Sequence, residues 1–138
     1  MASIRKEIVI AAPPDLVWEA FGDVGAVHTR LLPDRVVDTQ LEGDARILTF
    51  KNGGQVRELI VDVDEETRRL AYAVVGGARL RMTHHHASFQ VFAESATTSR
   101  VVWITDVLPD ALGPEVRARV EVGAEEMKRT LEGRLARR

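Results

Sequence analysis

Cysteine is absent from the 138-residue chain. Its absence excludes disulfides, thiol catalysis and cysteine-ligated zinc, and it suits a reducing, cytoplasmic setting. Long apolar runs are missing as well. Nothing approaches the roughly 18 uncharged apolar residues of a membrane span, and the charged start, Arg5-Lys6-Glu7, has no signal-peptide character. Aromatic residues make up only 5% of the chain, too few for a platform that stacks single-stranded nucleic acid. Nor does one sign of charge dominate. Lys+Arg number 19 against 21 Asp+Glu, so the net charge of −2 points away from a nucleic-acid partner. Nucleophile elbows, phosphate loops and dinucleotide fingerprints are all lacking, and Gly53-Gly54 and Gly76-Gly77 read as turns. No cofactor is therefore expected. The length suits one domain, residues 1–138, with a core that needs no staples.

What is present is a clear change of period along the chain. Ile4 to Ile10 reads as a strand. Pro13-Pro14-Asp15 then opens a short helix, because proline lacks the N–H that would be unpaired in a first turn, and Leu16, Val17, Ala20 and Phe21 follow at helical spacing. A second short helix is predicted over Val24 to Leu32, stopped by Pro33-Asp34. Six strand-like segments come next: Arg35 to Leu41, Ala45 to Phe50, Gln55 to Val63, Arg69 to Val75, Met82 to Ala93 and Arg100 to Leu108. Turn signals such as Asn52-Gly53 separate them, as in an antiparallel meander.

The C-terminus changes period again. Leu112, Val116, Val120, Ala124, Met127, Leu131 and Leu135 mark one face of a helix from Pro114 to Ala136, with charged residues opposite. Such a helix is roughly 35 Å long. Arg134, Arg137 and Arg138 complement its negative C-terminal dipole. A sheet of seven twisted strands curves, and a straight helix cannot touch a curved sheet everywhere. The expectation is a gap between the two, lined by apolar side chains.

Ile8-Val9-Ile10-Ala11-Ala12-Pro13-Pro14-Asp15-Leu16-Val17-Trp18-Glu19-Ala20-Phe21, together with Arg57-Glu58-Leu59-Ile60, Arg69-Leu70-Ala71-Tyr72, Val101-Val102-Trp103-Ile104-Thr105 and Gly123 to Glu132, resembles the polyketide cyclase/dehydrase and lipid-transport members of the START and birch-pollen-allergen superfamily. The resemblance covers nearly the whole chain. It implies an α+β helix-grip fold: a curved seven-stranded antiparallel sheet around a long C-terminal helix, with two short helices after the first strand. It also implies a cavity for a hydrophobic ligand and names no reaction. Val74-Val75-Gly76-Gly77 with Thr83-His84-His85-His86-Ala87-Ser88 is similar to a stretch of plant abscisic-acid receptors, in which Glu58 falls near a cavity-facing acidic position. The loops that close over hormone in those receptors are not recognisable here, so hormone binding is not carried over.

Candidate site residues follow from strand alternation. His85, Ala87, Phe89, Val91 and Ala93 share the more apolar face of their strand and are placed inward. His85 is then either an interior histidine or a ring at a strand end half in water. Adjacent His84 and His86 point the other way, so the triplet does not converge on a metal, and no metal site is expected. For the Gln55–Val63 strand two readings stand. Apolarity puts Arg57, Leu59, Val61 and Val63 inside, whereas the receptor resemblance puts Glu58 inside. Pairing Glu94 opposite Arg100 sets Trp103 inward, opposite Val91, and leaves Val102 and Ile104 facing out. Trp18 reads as a packing anchor, and His28 lies near the expected entrance. Val116, Val120 and Met127 lie on the helix stripe as core or cavity lining.

The expected ligand-binding set is thus Glu58, His85, Ala87, Phe89, Trp103, Val116, Val120 and Met127. Binding of a lipid, polyketide or similar hydrophobic molecule is the leading expectation. A cyclase or dehydratase using His85 as acid or base is the second. A homodimer through Val102 and Ile104 is the third.

Overall fold

Alternating burial of Ile4, Ile8 and Ile10 makes Ala2–Ile10 a strand, β1, with one face on the core. Here and below, a computed structural model describes residues 2–77 and 82–136. Extended Pro13 ends β1, and Pro14 sits at the start of α1 (Pro14–Gly22), where no backbone donor is lost. Leu16, Val17, Ala20 and Phe21 bury one face of α1. Trp18 anchors it, with its indole N–H donating to Glu65 at 2.6 Å. The second helix, α2 (Val27–Arg30), is a single turn. It is shorter than expected because Val24 and Ala26 are used in tight turns, bonded back to Gly22 and Asp23.

The six remaining strands are β2 (Val36–Glu42), β3 (Ala45–Phe50), β4 (Gln55–Asp64), β5 (Arg69–Gly76), β6 (His84–Ala93) and β7 (Ser99–Leu108). With β1 they form one antiparallel sheet in the order β1-β7-β6-β5-β4-β3-β2. Register irregularities at Val36/Asp38, Arg57/Glu58 and Ile60/Asp62 bend the β2–β5 half. Opposite them, α3 (Gly113–Ala136) carries buried Val116, Val120, Ala124, Met127 and Leu131. The Leu135 side chain and Arg137 and Arg138, assigned above to the stripe and the basic end, lie outside the described residues. Among the described residues no helix is long and apolar enough to cross a membrane. Together these features are the helix-grip arrangement expected.

Two expectations about faces need correction. Phe92, not Glu94, pairs with Arg100, so Trp103 faces Phe89 rather than Val91. The slip is two residues, which keeps every side chain on its assigned face, and Glu94 still accepts a 2.8 Å bond from Arg100 Nε. Val102, expected to face out as an apolar surface, is only 6% exposed, and Ile104 is half-buried. They pair with Glu7 and Arg5 on β1, whose long side chains flank them. Exposed apolar positions include Leu59, Val61 and Val75 on β4 and β5, and Val37 and Leu41 on β2.

Aromatic rings tie the sheet to α1. Phe89 lies 4.7 Å from both Phe21 and Trp103, and 6.2 Å from Tyr72, between ring centroids. Phe89 is 3% exposed. Replacing it with alanine, Phe89→Ala, is expected to cost about 3–5 kcal/mol by urea denaturation, from lost transfer energy plus a cavity. Leu59→Ala on the outer face is expected to cost under about 1 kcal/mol.

Candidate functional site

The straight helix lies along one side of the sheet, and its closest strand is β1. Ala11 N–H donates to Glu132 at 2.8 Å, Lys128 Nζ donates to the Val9 carbonyl at 2.7 Å, and Lys6 pairs with Glu121 at 2.8 Å. These bonds hold α3 to β1 and leave the β3–β5 half uncovered. A cavity of about 510 Å³ opens there, within the range of roughly 300–1,000 Å³ usual for small-molecule sites.

Its walls are apolar. Leu48 and Phe50 come from β3, Val56 from β4, Val74 from β5 and Trp103 from β7, with Leu32 and Met82 beside them. Gly123 of α3 forms part of the lining over Trp103. A Cβ there would stand 3.3 Å from the indole ring, so the glycine lets helix and ring approach closely. Glu58 and His85 are polar members of the wall, and Asp34, Arg35, Lys51, Asn52, Gln55 and Arg119 are the polar residues nearer solvent.

Glu58 settles the choice of face on β4. It is 7% exposed and lines the cavity, whereas Leu59 and Val61 lie outside. The apolar-face argument fails because the charge is neutralised by a neighbour. Arg46, opposite Glu58 in the β3–β4 register, donates from Nε to Oε1 at 2.8 Å. Both side chains are less than a tenth exposed. Arg46 also reaches the Val24 carbonyl at 3.3 Å and lies 5.2 Å from the Tyr72 ring centroid. Burial holds the Tyr72 hydroxyl well above the usual phenol range, and the Glu58 carboxylate pushes the same way. Tyr72 therefore stays protonated.

His85 is half-buried and lines the cavity. Burial pushes its imidazole down to about 4, and the charges of His84, His86 and Arg119 add to the effect. It is neutral at pH 7. Among the described residues neither its Nδ1 nor Trp103 Nε1 has a hydrogen-bond partner, although both atoms are buried. The indole N–H lies near the Tyr72 hydroxyl and slightly favours its ionised form, but the geometry falls short of a hydrogen bond.

The cavity thus brings together Glu58, His85 and Trp103 from the expected set. Ala87, Phe89, Val116, Val120 and Met127 are not among the residues lining it; they sit in the core. Phe21 of α1 occupies the space against Phe89, and the α3 residues belong to the half of the molecule closed against β1. His28, expected near the entrance, instead faces Thr39, with Nδ1 at 2.9 Å from its hydroxyl. His84 and His86 alternate away from His85, and among the described residues no cluster of three or more His, Cys, Asp or Glu could hold a metal. Arg46, Lys51, Arg119 and Gly123 were not singled out from sequence. Arg46 was findable: the Asn52-Gly53 hairpin aligns it with Glu58, and opposite charges across a hairpin are a recognisable pair.

Two tests follow from this geometry. Arg46→Met leaves a buried carboxylate unpaired and is expected to cost about 3–5 kcal/mol by chemical denaturation, most of it recovered when Glu58→Leu is added. His85 has a folded-state pKa below its unfolded value, so the unfolded chain binds the extra proton. Its contribution is complete above about pH 6.5 and is lost as pH falls toward 4. Stability is expected to drop by about 2 kcal/mol across that window, discounted for partial exposure, and His85→Gln is expected to remove that part of the slope.

Comparisons with known proteins add a family to this geometry. A comparison with curated proteins finds no match. Among solved structures, a START superfamily protein from Mycobacterium smegmatis has 17% identity and a TM-score of 0.77, covering 99% of each chain. The Zhui aromatase/cyclase from Streptomyces sp. R1128 has 18% identity and a TM-score of 0.75, covering 99% of this chain and 94% of its own. A truncated norcoclaurine synthase from Thalictrum flavum has 21% identity and a TM-score of 0.74, covering 96% and 92%. These likenesses establish the fold. The model of one sequence family, described as polyketide cyclase / dehydrase and lipid transport, matches residues 1–137, and the chain belongs to that family.

Proposed function

We propose that the protein binds a hydrophobic, flat small molecule, of lipid or aromatic polyketide type, in the cavity between the sheet and α3. One observation carries the reading: a roomy apolar cavity whose wall holds two buried polar atoms, His85 Nδ1 and Trp103 Nε1, without partners among the described residues. An unpaired buried polar atom costs about 1–3 kcal/mol. A guest with an acceptor for the indole and a hydrogen-bonding group for the imidazole recovers that cost after small side-chain shifts. Apolar contact supplies the bulk of the affinity, at about 25 cal/mol per Å² buried, less the cost of ordering the guest. Trp103 stacks on the flat framework, and Glu58, His85 and Trp103 set its orientation. The family description and the cyclase-type structural relatives support a guest of this kind.

A second reading, cyclisation or dehydration of a polyketide-like guest, is favoured by the position of His85. Its ring is neutral at pH 7 and shares the cavity wall with Glu58. In that role the imidazole accepts a proton from an acidic carbon of the guest or returns one to a departing hydroxyl.

Binding is expected to quench or shift Trp103 fluorescence when aromatic polyketides, steroids or lipids are titrated, with native mass spectrometry giving stoichiometry. Val74→Phe, which fills the cavity, is expected to weaken binding at least about tenfold with little change in melting temperature. Uniform absence of binding across the three classes would defeat the proposal. For the enzymatic reading, loss of water from a poly-β-keto thioester should be visible by mass spectrometry, abolished in His85→Ala, with binding retained. Unchanged turnover in that variant would exclude His85 as the acid or base.

A further inference from the structure

Among the described residues, five charged side chains line the cavity besides neutral His85: Asp34, Arg35, Lys51, Glu58 and Arg119. Three of them are matched by opposite charges. Asp34 pairs with Arg129 at 3.1 Å, Arg35 with Glu126 at 2.8 Å, and Glu58 with Arg46 at 2.8 Å. Lys51 and Arg119 have no ion pair with any described residue. Both are exposed, one after β3 and the other on α3, so cations from two elements stand on the lining of one opening. The chain as a whole carries a net charge of −2, so this local surplus does not follow from its bulk composition.

From this arrangement we infer that the guest is an anionic amphiphile, with an apolar body in the cavity and a carboxylate or similar anion between Lys51 and Arg119. The inference rests on the ligand-binding reading above and adds the charge and orientation of the guest. Orientation follows from electrostatics. In the buried wall the Arg46 guanidinium is already taken by Glu58, so an anion there finds no free cation among the described residues, and an unpaired buried charge is costly. At the opening the anion keeps part of its water and gains two cations. The same cations draw anionic guests toward the mouth, an effect that weakens with salt.

The test uses three probes with one apolar body and different heads: 2-naphthylacetate, 2-(2-naphthyl)ethanol and 2-(2-naphthyl)ethylammonium, measured by Trp103 fluorescence and calorimetry on the full chain. The acid is expected to bind tighter than the ammonium probe by roughly tenfold, as two partly exposed charges warrant, and its affinity alone should fall with added salt. In the double variant Lys51→Gln/Arg119→Gln the acid is expected to lose that advantage, while the alcohol binds unchanged and so reports an intact fold and cavity. Equal binding of all three heads, or preference for the ammonium, overturns the anionic assignment and leaves the cavity reading standing. Binding of none of the three to the unaltered protein overturns both.

Discussion

A straight rod against a bent surface is the constraint on which the molecule depends. α3 is held to β1 by bonds from the middle of that strand to just past its end, Lys6–Glu121, Lys128–Val9 and Ala11–Glu132. A helix bonded at one edge through β1 and at the other through Asp34 and Arg35, just before β2, cannot follow the curvature that the bulges at Val36/Asp38 and Ile60/Asp62 impose on the strands between. Strands β3, β4 and β5 are therefore left with little contact from α3. Space opens there because closure elsewhere is tight: Phe21, Phe89 and Trp103 form a packed aromatic ladder, and Ser99 Oγ ties β7 to the start of α1 through the Ala12 carbonyl at 2.7 Å.

The order of elements was legible because each carries its own period and its own stop signals. Pro13-Pro14 at the first helix and Asn52-Gly53 at the β3–β4 hairpin act through backbone geometry, which needs no tertiary context. The stripe on α3 was legible for the same reason. Faces of strands were harder. On β6 the apolar face is the inner one, and His85 follows it inward. On β4 the rule reverses, because Arg46 neutralises Glu58 across the hairpin while Leu59 and Val61 are left facing out. Apolarity of one strand judges burial residue by residue, whereas a buried charge depends on what the neighbouring strand supplies. The cavity walls were only partly legible, since Lys51 lies in a turn and Arg119 on the polar side of a helix, where sequence gives no reason to expect convergence.

Polarity inside the cavity is neutral almost throughout. The Glu58 charge is cancelled by Arg46, and His85 is held unprotonated chiefly by burial. A wall of neutral hydrogen-bonding groups suits recognition of a mostly apolar guest, because no ion has to be stripped of water without compensation. Trp103 contributes twice, as a ring that packs on Phe89 and as an indole N–H left without a partner. Gly123 permits both, since a side chain there would press on the same ring from above.

The same electrostatics separate binding from chemistry. With its pKa near 4, His85 at pH 7 is protonated in only about one molecule in a thousand, so in the empty cavity it is a poor acid and a weak base. No carboxylate is among the groups that set its pKa; the charges acting on it are His84, His86 and Arg119, all of which favour the neutral ring. Catalysis by His85 therefore requires the guest to alter that balance. An anionic guest would act in the right direction, by compensating Arg119 at the opening, against the larger effect of burial. A neutral guest would only deepen the desolvation that lowers it. On this argument the charge of the guest bears on more than affinity: an anion favours the protonated ring, whereas a neutral guest favours a histidine that only hydrogen-bonds.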